Sequence, residues 1–284
     1  MKIIRTSVEL NHWFNEHNIQ NNKSLGLVPT MGALHQGHAS LIEKASKECD
    51  LVVVSILVNP TQFNEKDDLD AYPRTMNADA EIAKAAGCNV IFAPTAEDLY
   101  GGKPQAEHMD WGSLTHSFEG KCRPGHFDGV IAVVDKLFSA VKPNQAYFGA
   151  KDLQQVAVVQ KMAQSRHPNV DIVSCDLIRD SKGLALSSRN TRLSDQGINQ
   201  ALKLSVALSN VVEKTSAGES IKTAVDKARK ELQAFEGIDL EYFNGVNCQT
   251  FSPEDEPFEW SHIVLAANVD GVRLIDNIEI EVVG

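Results

Sequence analysis

The run Leu51-Val52-Val53-Val54-Ser55-Ile56-Leu57-Val58 decides the fold class. It is apolar at both alternating sets of positions and rich in β-branched side chains, so both of its faces need cover. That composition suits a central strand of a parallel sheet. Upstream, Leu25 to Pro29 reads as a second buried strand, and Gly37 to Cys49 as a helix with Leu41, Ile42 and Ala45 inward. Downstream, a helix is expected from Met76 to Ala86, stopped by Gly87, then a strand from Asn89 to Ala93. Strand and helix in alternation predict a doubly wound, Rossmann-like α/β domain with a parallel sheet.

The alternation continues with a 3.6-residue stripe from Phe127 to Val141, a short strand at Ala146 to Phe148, a helix from Asp152 to Arg166 and a strand from Val170 to Ile178. Near the N-terminus, Thr6 and Glu9 have the spacing of a capping box, ahead of Leu10, Trp13 and Phe14. After Ile178 the order changes. Ser194 is placed to cap a helix to about Val212, and Ile221 to Phe235 marks another. Strand-like segments follow at Leu240 to Phe243, His262 to Val269 and Val272 to Ile280, with the hairpin signal Asp270-Gly271 between the last two. Two domains are therefore expected: 1–177, Rossmann-like, and 178–284, a smaller α+β domain.

The 284 residues are 43% hydrophobic, enough for such a pair of cores, and carry a formal net charge of -11. An acidic surface repels phosphate backbones, so nucleic acid is not the expected partner. The five cysteines, Cys49, Cys88, Cys122, Cys175 and Cys248, form no C-x-x-C pair, which argues against a disulfide framework or structural zinc. With no signal-like N-terminus and no apolar run near the roughly 20 residues of a membrane span, a soluble cytoplasmic protein is expected.

Four segments carry residues suited to phosphate chemistry, each placed after a strand or near the domain junction. The first is Pro29-Thr-Met31-Gly32-Ala33-Leu34-His35-Gln36-Gly37-His38. It joins a strand to a helix whose N-terminus offers free N–H groups to phosphate. His35 and His38 are three residues apart, so both rings can share one face and donate to phosphoryl oxygens; the alternative is two surface histidines in a turn. The second is Asn59-Pro60-Thr61-Gln62-Phe63, where uncharged Gln62 can bind hydroxyls and a carboxylate. The acidic stretch after it, to Arg74, reads as a solvated loop or a lid. The third is Gly149-Ala150-Lys151-Asp152, with Lys151 as a point charge for phosphate and Gln155 one turn further on. The fourth is Leu186-Ser187-Ser188-Arg189-Asn190, a candidate pyrophosphate clamp. Arg123, in Arg123-Pro124-Gly125-His126-Phe127, is a further phosphate candidate or simply a loop residue. No Walker-type loop and no G-x-G-x-x-G fingerprint appears.

Taken together, these segments resemble the pantothenate synthetase (pantoate–β-alanine ligase) family, over nearly the whole chain. Pro-Thr-Met-Gly-Ala-Leu-His-x-Gly-His is the most specific match. Val-Asn-Pro-x-Gln-Phe, Asp-x-x-Ala-Tyr-Pro-Arg, Arg-Pro-Gly-His-Phe-x-Gly-Val, Phe-Gly-x-Lys-Asp and Ser-Ser-Arg-Asn follow in order. Leu186 stands where that family often has Met. The resemblance implies ATP-dependent condensation of (R)-pantoate with β-alanine through a pantoyl adenylate, with Mg²⁺ held mainly by the ATP phosphates, in a homodimer. It implies ATP contacts from Met31 to His38, from Gly149 to Asp152, and at Ile178, Leu186, Ser187, Ser188 and Arg189. It implies pantoate at Gln62 and Gln155, β-alanine at Gln62, and proton donation by His38. His35, His38, Lys151 and Arg189 are the residues expected to carry catalysis, with the smaller domain closing over the site. A nucleotidyltransferase that leaves AMP on its product and a regulatory nucleotide-binding module are the competing classes; a tRNA ligase fits the charge and length least.

Overall fold

The computed structural model of the chain describes residues 1–17, 23–63 and 69–281. Part of the stretch read as a lid, 64–68, lies outside the described residues. The chain divides into two compact units. The first comprises Met1–Asp110, Arg123–Ala150 and Gln155–Asp176; the second comprises Trp111–Cys122, Lys151–Gln154 and Leu177–Gly284.

The first unit is a parallel sheet with strands β1 (Lys2–Ile4), β2 (Leu25–Thr30), β3 (Leu51–Ile56), β4 (Val90–Phe92), β5 (Gln145–Gly149) and β6 (Asp171–Cys175), in the spatial order β1-β4-β3-β2-β5-β6. Helices α1 (Ser7–Glu16), α2 (Gln36–Glu48), α3 (Met76–Ala85), α4 (His126–Val141) and α5 (Leu153–Arg166) connect or flank the strands. Leu41, Ile42 and Ala45 of α2 and Ala83 of α3 pack with Val28, Val52, Val54 and Ile91 from one face of the sheet. The alternate residues Leu27, Val53, Phe92 and Phe148 are buried too. Both faces are thus covered, as the continuous apolar run of β3 requires. The doubly wound α/β class expected from that run is the one observed.

Several boundaries differ from the sequence reading. Thr6 Oγ1 does accept from Glu9 N–H at 3.2 Å, but the Glu9 carboxylate accepts from Arg5 N–H at 3.0 Å, so the box does not close on Thr6. Strand β6 stops at Cys175, where its partner β5 ends at Gly149, and does not run to Ile178. Helix α5 begins at Leu153 after a 3-10 turn, Ala150–Asp152. Strand β1 has three residues, too few to leave a periodic signal.

The second unit has an antiparallel sheet of β7 (Ile238–Val246), β8 (His262–Val269) and β9 (Val272–Glu279), with α6 (Asp195–Ser216) and α7 (Ile221–Gln233) packed on it. Its core joins Leu204, Leu208 and Val211 of α6 and Val225, Ala228 and Leu232 of α7 to Phe243, Leu265 and Leu274 of the sheet. Ser194 caps α6 by accepting from Gly197 N–H at 3.1 Å. Asp270 and Gly271 both take positive φ, 52° and 70°, in the two-residue hairpin that the sequence signals. Strand β7 is longer than its apolar stretch, because pairing with β8 also recruits Asp239 and Asn244; the register shifts between Leu240 and Tyr242. Among the described residues no helix is long and apolar enough to cross a membrane.

Candidate active site

In an open parallel sheet, ligands bind beyond the carboxyl ends of the strands, where the order of winding reverses. Here that place lies at β2 and β5: from β2 the chain winds through β3 to β4, and from β5 the other way to β6. The two strands pair at Gly26↔Gln145 and Leu27↔Ala146. The Met31–His38 segment leaves the carboxyl end of β2, and Gly149 closes β5.

The turn from β2 into α2 is held in an uncommon backbone conformation. Gly32 has φ of 88°, and a Cβ there would crowd Asp79 and Ile56 at 3.1 and 3.2 Å. Ala33 has φ of 51°, which costs a non-glycine residue about 1–2 kcal/mol. The buried Asp79 carboxylate, on α3, offsets that cost: it accepts from Ala33 N–H at 3.1 Å and from Leu34 N–H at 2.8 Å. Asp79 also accepts a hydrogen bond from the Thr75 hydroxyl at 3.1 Å.

His35 is the residue that caps α2. Its Nδ1 accepts from Gly37 N–H at 3.1 Å, and His38 Nδ1 accepts from His35 N–H at 3.3 Å. The rings lie 4.2 Å apart between centroids, tilted by 43°. A nitrogen that accepts from a backbone N–H is unprotonated, so each neutral ring carries its proton on Nε2. The reciprocal cap therefore does two jobs. It satisfies backbone donors at the helix start, and it selects the tautomer whose Nε2–H is a donor suited to an anion.

Gln62 follows β3 in a 3-10 turn, Pro60–Gln62. Buried Asn59 donates to its Oε1 at 3.2 Å, which defines Nε2 as the donor end of the amide; Nε2 in turn lies 3.1 Å from Met31 Sδ. Asn59 Oδ1 accepts from Tyr100 Oη at 3.1 Å, and burial pushes the Tyr100 phenol up from its ordinary value, against the lowering effect of its hydrogen bonds with Thr61 and Asn59. The Gln62 carbonyl accepts from His126 Nδ1 at 3.0 Å while Arg123 Nη1 lies 3.0 Å from His126 Nε2, so His126 is the neutral Nδ1–H tautomer. A Cβ at Gly129 would strike the Thr61 carbonyl, which is why α4 presents glycine where it crosses this turn. Arg123 is thus tied to His126 and the Gln62 backbone. Gln155 is half-buried in the first turn of α5.

In the second unit, Lys151 is half-buried with Nζ 3.3 Å from an Asp152 carboxylate oxygen. Leu186 N–H donates to the Ile178 carbonyl at 3.0 Å, which closes the 178–186 loop together with a bridge between Arg179 and Ala185. Ser187 caps the 3-10 turn Ser188–Arg192 by accepting from Arg189 N–H at 3.2 Å. The structure thus groups Met31–His38, Gln62, Gly149, Ala150 and Gln155 in one unit, and Lys151, Asp152, Ile178 and Leu186–Arg189 in the other. Asp79, Asn59 and His126 have supporting places that sequence reasoning did not assign. Asp79 carries no local signal, since it lies 45 residues from the amide it holds.

A family model described as pantoate-beta-alanine ligase matches residues 2–279. The chain belongs to the pantoate-beta-alanine ligase family. Among its relatives, the pantothenate synthetase of Bacteroides fragilis is 42% identical over 281 residues, covering 98% of this chain and 99% of its own. That of Porphyromonas gingivalis is 44% identical over 284 residues, covering 99% and 100%. The crystal structure of pantothenate synthetase from Thermus thermophilus superposes with a TM-score of 0.90 at 36% identity, over 98% of this chain and 99% of that one. A pantoate-beta-alanine ligase from Francisella tularensis, solved with beta-gamma ATP and beta-alanine, gives 0.79 at 34% identity, over 98% and 97%.

Proposed function

We propose that this chain condenses (R)-pantoate with β-alanine, using ATP, to give pantothenate, AMP and diphosphate through a pantoyl adenylate. The reciprocal cap of His35 and His38 at the start of α2, beyond the carboxyl end of β2, carries this reading. In the first step a pantoate carboxylate oxygen attacks the α-phosphorus of ATP and diphosphate leaves. A carboxylate needs no base at neutral pH, so catalysis is positioning and charge compensation. His35 and His38 act as Nε2–H donors to phosphoryl oxygens, while Lys151 and Arg189 supply positive charge. Hydrogen bonding from a neutral Nε2–H suffices for His38; transfer of its proton is not required.

ATP draws on Met31–His38, Gly149–Asp152, Ile178 and Leu186–Arg189 in this reading. Gln62 and Gln155 hold pantoate. The orientation that Asn59 gives to Gln62 presents Nε2 to a hydroxyl or carboxylate oxygen, and an uncharged amide leaves the attacking carboxylate its nucleophilicity. In the second step the β-alanine amine, close to Gln62, attacks the acyl carbon, loses a proton and expels AMP. Mg²⁺ enters as part of the ATP substrate and screens the phosphate charge.

The test is AMP release in the presence of MgATP, dependent on both pantoate and β-alanine. Release with pantothenate formation is expected. A stable adenylylated product would point to a nucleotidyltransferase instead, and no release would leave a nucleotide-binding module. We further propose a cytoplasmic homodimer, from the family resemblance; light scattering would then give twice the 31.1 kDa chain mass, and a single chain mass would refute it.

A further inference from the structure

The sheet of the second unit has two faces. Phe243, Leu265, Val272 and Leu274 join the core with α6 and α7. On β7 and β9 the alternate positions include Tyr242, Arg273 and Asn277, directed to the opposite face. That opposite face is used to grip the short segment Lys151–Gln154. At one end, Asn277 Nδ2 donates to the Lys151 carbonyl at 3.1 Å. At the other, Gln154 Oε1 accepts from Glu119 N–H at 3.1 Å and its Nε2 donates to the carbonyls of Leu114 and Ser117, both at 3.0 Å. Glu119 is anchored in turn by Arg273, through two hydrogen bonds of 2.9 and 2.7 Å, and by Tyr242 Oη at 2.7 Å. Arg273 and Asn277 stand four residues apart on one strand, so β9 holds both ends of the segment.

The neighbouring residue on β9 extends the mount. Asp276 is buried and forms a two-point pair with Arg179 at 2.7 and 2.9 Å, and Arg179 also donates to the Asn277 carbonyl at 3.1 Å. Arg179 closes the loop that leads into Leu186–Arg189. Burial raises the Asp276 carboxyl, against the lowering effect of hydrogen bonding and charge from Arg179.

We propose that Asn277 is a positioning residue for Lys151, and that the Asp276–Asn277 step of β9 is a common mount holding Lys151 and the Ile178–Arg189 loop in fixed relation. The assignment rests on the reading of Lys151 as a phosphate-binding group. Asn277 acts without touching substrate; its amide sets the place of the Lys151 backbone, and so of the ammonium. A group misplaced by about 1 Å can lower a rate by about 100-fold.

The experiment is a single-turnover measurement of adenylate formation from MgATP and pantoate, for the parent chain, Lys151→Ala, Asn277→Ala and the double variant, with KM for β-alanine measured alongside. Asn277→Ala is expected to slow adenylate formation by about 10- to 100-fold and to leave the β-alanine KM within about twofold. In the Lys151→Ala background its further effect is expected to fall below about twofold, because it acts through that residue. Losses that multiply in the double variant, or an Asn277→Ala rate equal to the parent's, overturn the proposal and leave the reading of Lys151 standing. A Lys151→Ala rate equal to the parent's removes that reading and the proposal with it. Asn277→Ser, too short to reach the Lys151 carbonyl, is expected to match Asn277→Ala. If both variants lose the cooperative thermal transition, Asn277 is structural and the proposal fails.

Discussion

The histidine turn of the first unit and the lysine segment of the second are both assigned to phosphate, yet they are held in opposite ways. His35 and His38 hold each other within a span of three residues. Lys151 is held through its carbonyl by Asn277, 126 residues away, and its segment through Glu119 by Arg273, 154 residues from Glu119. Both residues of the local device lie within one short motif that is legible as a string of letters. The long-range device exists only once the antiparallel sheet has formed. Replacements in the first turn should therefore act mainly on chemistry, and replacements among the supports mainly on placement or stability.

The largest effect is expected at His38. His38→Ala should lower the rate of adenylate formation by about two to four orders of magnitude, measured in single turnover. A loss confined to KM for ATP would place the residue in ground-state binding instead. Gln62→Ala should come next, raising KM for pantoate by about 10- to 100-fold, the size expected when a partner of a charged or polar ligand is removed. Unchanged pantoate affinity in calorimetry would separate Gln62 from the substrate.

Asp79 tests the boundary between the two kinds of device, because it supports the local motif from a distance. Asp79→Ala leaves the Ala33 and Leu34 amides without their acceptor, and should cost about 1–3 kcal/mol of stability. In a chain of this size that is a fall in Tm of a few degrees, about 2–4 °C per kcal/mol. An unchanged Tm would show that the turn keeps its φ values unaided.

The smallest effect is electrostatic. Burial acts to raise the Glu241 carboxyl, but hydrogen bonding and charge attraction from Arg273 outweigh it and hold the group below its ordinary value. A lowered carboxylate stabilises the fold above its unfolded pKa, and the contribution is lost as pH falls through the folded one. Stability should therefore decline on the acid side of the ordinary carboxylate range. Glu241→Gln removes that titration and should make the acid-side decline of Tm shallower; an identical slope would assign the decline to other carboxylates.

The parallel-sheet fold was readable because β2 and β3 are buried on both faces and say so in composition, and because α2 keeps a regular apolar stripe. Strand β7 was only partly readable. Asp239 and Asn244 are poor strand formers, and their inclusion is decided by pairing with β8. Likewise, Lys151 and Arg189 could be singled out as charges between structural elements. Asp79, His126 and Asn277 could not, since each acts through a backbone group far away in sequence. The histidines themselves were legible as ligand donors alone. Their second task, capping α2 and each other, depends on the geometry of the turn.

That double task yields the most direct test of the central claim, that the paired histidines act on phosphate through Nε2–H. Asparagine is among the best helix N-caps and has no Nε2–H. His35→Asn should keep Tm within about 2 °C, since a good cap replaces the imidazole. The same variant is predicted to form pantoyl adenylate about 100-fold more slowly in single turnover. A folded His35→Asn enzyme with a rate within about fivefold of the parent would reduce His35 to a cap and contradict the claim.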